Sequence, residues 1–118
     1  MHALFLVLNK VDKLDDIMDI LYHLDLGATV IDSEGMGKVL LDHDVEVPVF
    51  SGIKKLIEGH KPYNKTLVSV IRDEKLLRTA VDKIKEELNY IEKPGVGFLF
   101  VVPVVECHGF GLNQTDNK

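Results

Sequence analysis

The chain has 118 residues, a formal net charge of −5 and a single cysteine. That length carries one domain with a modest core and no covalent staples. The acidic balance excludes a nucleic-acid binder that works through a basic stripe, and the lone Cys107 excludes an internal disulfide or a CxxC metal or redox motif.

Residues 3–8 (ALFLVL) are apolar throughout and read as a fully buried strand. The run is too short for a signal-peptide core and has no basic start, and no stretch reaches the roughly 18 residues of a membrane helix. The expectation is a cytoplasmic protein with no direct membrane insertion. Next, Leu14, Ile17, Met18, Leu21 and Leu24 recur at helical spacing. Asp12 stands at the N-cap position, Asp15 and Asp16 lie near the positive end of the dipole, and Gly27 occupies the place of a left-handed C-terminal residue. Residues 28–34 read as an edge strand, with Val30 set against Asp32 and Glu34, and Gly35 and Gly37 interrupt it.

The second half repeats the plan. Residues 66–71 (TLVSVI) form a strand, and Asp73 caps a helix that runs to about Asn89. The apolar stripe of that helix is Leu76, Leu77, Ala80, Val81, Ile84 and Leu88. A fourth strand starts at Val96, and Pro103 is tolerated there because an outer strand can spare one donor. Strand, helix, strand twice over defines an α+β, ferredoxin-like split βαβ fold (βαββαβ). Its four-stranded antiparallel sheet carries both helices on one face. Residues 1–108 form the single domain, and residues 109–118 form a polar tail.

Such a fold has two layers, so one sheet face has no cover within the chain. Leu4, Leu6 and Leu8 point opposite to Ala3, Phe5 and Val7; Leu99 and Val101 point opposite to Phe98, Phe100 and Val102; Val68 and Val70 point opposite to Leu67 and Ile71. Whichever set meets the helices, the other leaves a patch of a few hundred Å², beyond what is ordinary on a monomer. Burying it at roughly 25 cal/mol per Å² supplies several kcal/mol per subunit, which favours other copies of the chain as its cover. The competing arrangement is a monomer whose face is capped by residues 42–64.

Residues 42–64 are far more than two neighbouring strands need for a connection. They begin acidic (Asp42, Asp44, Glu46) and continue into a short amphipathic stretch with Ile53, Leu56 and Ile57 beside Lys54 and Lys55. Val49, Phe50, Ile53, Lys54 and Lys55 are the candidates for contact with a protein partner. Asp42, His43, Asp44 and His60 offer metal-ligand atoms, but adjacent residues of an extended segment point to opposite sides and chelate one ion poorly. A solvated acidic turn is the expectation, and no metal site is assigned. Cys107 and His108 resemble a nucleophile and base in composition only, without an orienting third group, so no catalytic residue is assigned.

Three features together resemble the nitrogen-regulatory PII signalling family over residues 3–108. They are Gly35, Met36, Gly37 and Lys38 closing the second strand, the long excursion that follows, and Gly95, Val96 and Gly97 before a strand that ends in Pro103 and Val104. The resemblance implies a homotrimer with its sheets packed inward and an adenine nucleotide in the clefts between subunits. It also implies that the excursion, residues 39–64, acts on a protein target such as a membrane transporter or a metabolic enzyme. Gly35, Gly37, Lys38, Gly95 and Gly97 are then the candidates to line the cleft, since glycines let backbone amides approach phosphate oxygens. The chain departs from the family's Gly-Asp-Gly-Lys turn at Val96 and Phe98, and Glu106, Cys107 and His108 stand where the family has basic residues. Each lost cation removes a charge-assisted hydrogen bond of roughly 1.5–3 kcal/mol. A less charged nucleotide, a different small molecule or no ligand therefore stay open. Tyr63 lies near the end of the excursion, away from the position of the family's modified tyrosine, and is read as packing at the loop base. The alternative function is a trimeric metal- or cation-responsive protein of the CutA type.

Overall fold

The structure, a computed structural model, describes residues 1–37, 39 and 63–109. Its elements are β1 (His2–Leu8), α1 (Leu14–His23), β2 (Thr29–Glu34), β3 (Tyr63–Ile71), α2 (Glu74–Glu87) and β4 (Gly97–Pro103). The four strands form one antiparallel sheet in the order β2-β3-β1-β4. This is the α+β, ferredoxin-like arrangement read from the sequence, with two crossovers through helices on a common face.

β1 is bonded on both sides. Leu4 faces Ser69 and Val101, Leu6 faces Leu67 and Leu99, and Leu8 faces Lys65 and Gly97. Because strand side chains alternate, this register sorts all the central positions into two faces. One face carries Leu4, Leu6, Leu8, Leu67 and Ile71, all at most 1% exposed, and these pack with Ile17 and Leu21 of α1 and Leu77, Ala80, Val81 and Ile84 of α2. Ser69, buried on the same face, donates its hydroxyl to the Gly27 carbonyl at 2.7 Å, so its burial leaves no unmet polar atom.

The other face carries Ala3, Phe5 and Val7 of β1, Val68 and Val70 of β3, Phe98, Phe100 and Val102 of β4, and Ile31 of β2. No helix among the described residues lies on it. The Phe5 and Phe100 rings stack at 4.8 Å with planes 2° apart, and Phe98 continues the stack at 6.0 Å from Phe100. Phe98 remains 55% exposed, Phe100 41% and Ile31 45%. Of residues 42–64, the competing cover for this face, residues 42–62 lie outside the described residues.

α2 is capped as its sequence predicts: the Asp73 carboxylate accepts from the Lys75 amide at 2.9 Å. α1 differs from expectation at both ends. Asp12 is not its N-cap; it lies inside a single tight turn, Val11–Lys13, and α1 begins behind Lys13 with no side-chain cap. The reason is tertiary. The Asn9 and Lys10 amides both donate to the Val96 carbonyl, at 2.9 and 3.1 Å, which fixes the chain's exit from β1 and forces an early turn. Asp15 and Asp16 do fall in the first turn of α1. At the other end, Asp25 rather than Gly27 takes the left-handed conformation, with φ of 61°. The Leu26 amide returns to the Leu21 carbonyl at 2.9 Å and the Asp25 amide to the Tyr22 carbonyl at 3.0 Å, which closes a Schellman motif two residues before the glycine. Asp tolerates this conformation better than most residues because its short polar side chain bonds locally.

Two strand readings also change. Val30, Asp32 and Glu34 share one side of β2, and the strand is exposed nearly throughout, so β2 is an edge strand by its place in the sheet and not by alternation. β3 starts at Tyr63, three residues before the predicted start. Asn64 accepts from the Ser33 hydroxyl through Oδ1, and Ser33 Oγ also meets Thr66 Oγ1 at 2.8 Å, which extends the pairing of β2 with β3.

Replacing Asp25 by Gly removes the left-handed penalty at no loss of packing. Asp25→Gly is expected to raise stability by about 0.5–1 kcal/mol, read as a higher urea midpoint with an unchanged m-value.

Candidate functional site

The glycine segments singled out by the sequence sit at one end of the sheet. Glu34, the last residue of β2, faces Tyr63; Leu8, the last residue of β1, faces Lys65 on one side and Gly97 on the other. The C-terminal end of β2, the N-terminal end of β3, the C-terminal end of β1 and the N-terminal end of β4 therefore form one rim. Gly35 follows β2 and residues 95–97 precede or open β4, but β2 and β4 are the two outer strands. Three strand spacings of about 4.8 Å put the two segments roughly 14 Å apart. A ligand touching both must lie along the whole rim, or bridge an edge of one copy to an edge of another. The connection between β2 and β3 also leaves and returns at this rim.

The glycines differ in what the fold demands of them. Gly97 has φ of +143°, and a Cβ there would lie 2.2 Å from the Val7 carbonyl oxygen; only glycine fits. Gly95, at φ of 84°, occupies a left-handed turn position. Both are explained by backbone geometry alone. Gly35 is not: its φ is not positive, and an added Cβ would meet Asn64 Nδ2 at an ordinary 3.8 Å. Its carbonyl accepts from the Val39 amide at 3.2 Å, so the chain turns helically as soon as β2 ends. Gly37 is half-buried, also without a positive φ.

Lys38 lies outside the described residues, as do Val49, Phe50, Ile53, Lys54 and Lys55 of the partner-contact reading. The Asp42, His43, Asp44 and His60 ligand atoms lie outside them too. Tyr63 is the first residue of β3 and 57% exposed, so it opens a strand at the rim. Val96 packs half-buried against the core, and Phe98 turns to the open face. Neither position of the turn presents a cation. Cys107 is half-buried, and the exposed His108 ring lies 3.6 Å from the Glu106 carboxylate. Among the described residues no three His, Cys, Asp or Glu side chains gather around a common point. No helix among them is long and apolar enough to cross a membrane.

The sequence reading missed the segment that leads into the rim. Asn89, Tyr90 and Ile91 have φ of 53°, 59° and 57°, three left-handed residues in succession without a glycine. Each costs about 1–2 kcal/mol, and a β-branched residue such as Ile91 is the least suited of all. The signal available in the sequence is Asn89, a residue that favours a left-handed helix end; Tyr90 and Ile91 carry none. The turn is tied down by Ile91, which packs on the core, and by its amide, which donates to the Leu88 carbonyl at 3.0 Å. Close by, Lys13 Nζ crosses from the start of α1 to Glu87 Oε2 at 2.9 Å, with Asp16 at 3.9 Å. The hydrogen bond and charge of Glu87 raise the Lys13 pKa above its ordinary 10.5. Lys13, Lys83, Glu86, Glu87 and Asn89 line a hollow between the helices, where charges of both signs offset each other.

No protein-family model matches the chain, and no curated protein matches it.

Two outcomes follow from this geometry. Gly97→Ala is expected to lose on the order of 3 kcal/mol or more, since a carbonyl oxygen of β1 must move, whereas Gly35→Ala stays within about 1 kcal/mol of the parent in chemical denaturation. The folded state also holds the Lys13 proton more tightly than the unfolded state does. Its contribution is therefore fully present below pH 10.5 and is lost as pH climbs through the folded-state value. The stability gap between the parent and Lys13→Met is expected to stay constant while the pH is well below 10.5 and to shrink as the pH rises beyond it.

Proposed function

We propose that this protein is a PII-like regulator: a homotrimer that senses a small metabolite in clefts between subunits and acts on a protein partner through residues 39–64. The observation that carries this reading is the shared rim. The two glycine segments and both roots of the connection between β2 and β3 meet at one end of the sheet. A molecule bound at that end touches the root of the segment that would address a partner, so occupancy and the state of that segment are coupled by contact.

The oligomeric part of the reading is supported by the open face. Phe98, Phe100 and Ile31 are each more than 40% exposed and continuous with Phe5, Val7, Val68, Val70 and Val102. An apolar face of this extent is stabilised by contact with its like at roughly 25 cal/mol per Å². The separation of Gly35 from residues 95–97 across the sheet supports a cleft completed by a neighbouring copy. Gly35 supports the ligand part, because the fold does not itself require a glycine there. The acidic chain and the absence of a cation at Val96 and Phe98 favour a nucleotide with fewer phosphates than ATP, or another small metabolite.

Sedimentation equilibrium at micromolar concentration is expected to return three times the 13.3 kDa of one chain, and Phe100→Asp to return the single-chain mass with the helices retained in circular dichroism. In a thermal-shift series with ATP, ADP, AMP and cyclic AMP, the less charged members are expected to raise the melting temperature and Gly35→Ala to abolish the rise. A single-chain mass for the parent refutes the assembly. No shift with any nucleotide, at an intact trimer mass, refutes the nucleotide and leaves the assembly standing.

A further inference from the structure

β4 is an outer strand, so one side of its backbone has no partner among the described strands. The bonds at its two ends fix which residues face that side. The Val96 carbonyl accepts from the Asn9 amide, and the Val104 amide donates to the Met1 carbonyl. Antiparallel pairing directs the backbone groups of successive residues alternately toward the partner strand and away from it. Phe98, Phe100 and Val102 therefore direct theirs at β1, while Gly97, Leu99, Val101 and Pro103 direct theirs outward. A further strand fits this edge poorly. Pro103 has no N–H to give, and at the other end Gly97 departs from ordinary strand geometry, with φ of +143°. Leu99 and Val101 are left, and each presents a donor beside an acceptor. The Phe98 and Phe100 rings flank Leu99 on the open face, 55% and 41% exposed, with planes 18° apart. Alternation would set Val96 in line with Phe98, but Val96 packs against the core, so β4 places no side chain beyond Phe98 on that face.

We propose that the outer edge of β4 at Phe98–Phe100 binds the base of the ligand, a planar heterocycle that carries a hydrogen-bond acceptor beside a donor. Adenine presents such a pair, a ring nitrogen next to its amino group. The Leu99 N–H donates to the ring nitrogen, the Leu99 carbonyl accepts from the amino group, and the ring packs on Phe98. The edge is too short for a strand and already carries what a single base needs: one donor, one acceptor and an aromatic surface. Recognition through the base also suits a turn in which Val96 and Phe98 offer no cation for a phosphate. The inference rests on the nucleotide part of the reading above and not on the trimer, and it names the part of the ligand that β4 reads.

The test is an NMR titration of the full chain with adenosine, AMP, purine riboside and ribose phosphate. Adenosine and AMP are expected to move the Leu99 amide downfield and to slow its hydrogen exchange. Purine riboside, which lacks the amino donor, binds more weakly, and ribose phosphate leaves the amide unmoved. Phe98→Leu keeps an apolar side chain, loses the ring and is expected to weaken AMP roughly tenfold or more. The chain has no tryptophan, so Phe98→Trp supplies a single fluorophore that the bound base quenches, which keeps the test valid if leucine disturbs folding. AMP that stabilises the parent without moving the Leu99 amide, or that binds Phe98→Leu as tightly, overturns the proposal and leaves the nucleotide reading intact. If neither adenosine nor AMP binds the parent, that reading and the proposal fall together. A Leu99 amide as protected as that of Leu6 before any ligand is added means that a strand already holds the edge, and it too overturns the proposal.

Discussion

The placement of β1 between two antiparallel neighbours is the constraint on which the rest of the molecule depends. Its hydrogen bonds to β3 on one side and β4 on the other lock a single register, with Leu6 opposite both Leu67 and Leu99. A slip of one residue would carry Leu4, Leu6 and Leu8 out of the helix layer and put Phe5 and Val7 into it. The same register sets the Val7 carbonyl oxygen against Gly97, where a Cβ would lie 2.2 Å from it. It also creates the aromatic stack of Phe5, Phe100 and Phe98 on the face that no described helix covers. Core, open face and rim are three consequences of one pairing.

The two ends of the sheet differ in their backbone demands. At the end where β1 begins, the Met1 carbonyl accepts from the Val104 amide at 3.0 Å and α2 starts from a well-formed cap at Asp73. Asp25 is left-handed on that side too, but most of the positive-φ residues lie at the opposite rim: residues 89–91, Gly95, and Gly97 pressed against β1. Strain of this kind persists where surrounding contacts over-determine it, and it gathers at binding and switching segments. Here those contacts are the packing of Ile91 on the core and the two amides held by the Val96 carbonyl. The coincidence of strain, glycine and the roots of the long connection gives the rim its functional interest.

The chain's departures from the PII pattern acquire physical content from the fold. Val96 is used for packing and Phe98 for the open face, so both positions are committed to apolar contact. Under the proposed reading, a ligand at this rim finds no cation at Val96 or Phe98. On that reading, the loss of two charge-assisted contacts favours a small, modestly charged molecule over a polyphosphate.

Much of this architecture was legible in the amino-acid order. The all-apolar runs of β1 and β4, the stripe of α2, its Asp73 cap and a second apolar sheet face that no described helix covers all follow from periodicity and chemistry that act over a few residues. Tertiary contact decided the rest. Asp12 lost the cap because the Val96 carbonyl turns the chain early, and Gly27 lost the left-handed position because the Schellman bonds close at Asp25. Gly97 is obligatory because its φ is +143° and because the carbonyl oxygen of Val7, 90 residues away in sequence, comes against it. Asn89 suits a left-handed helix end, but Tyr90 and Ile91 do not, and the structure holds them there with Ile91 packed on the core. Short-range order is written by side-chain alternation and capping; which glycine is needed, and where a helix must start, is set by strands that meet only in the folded sheet.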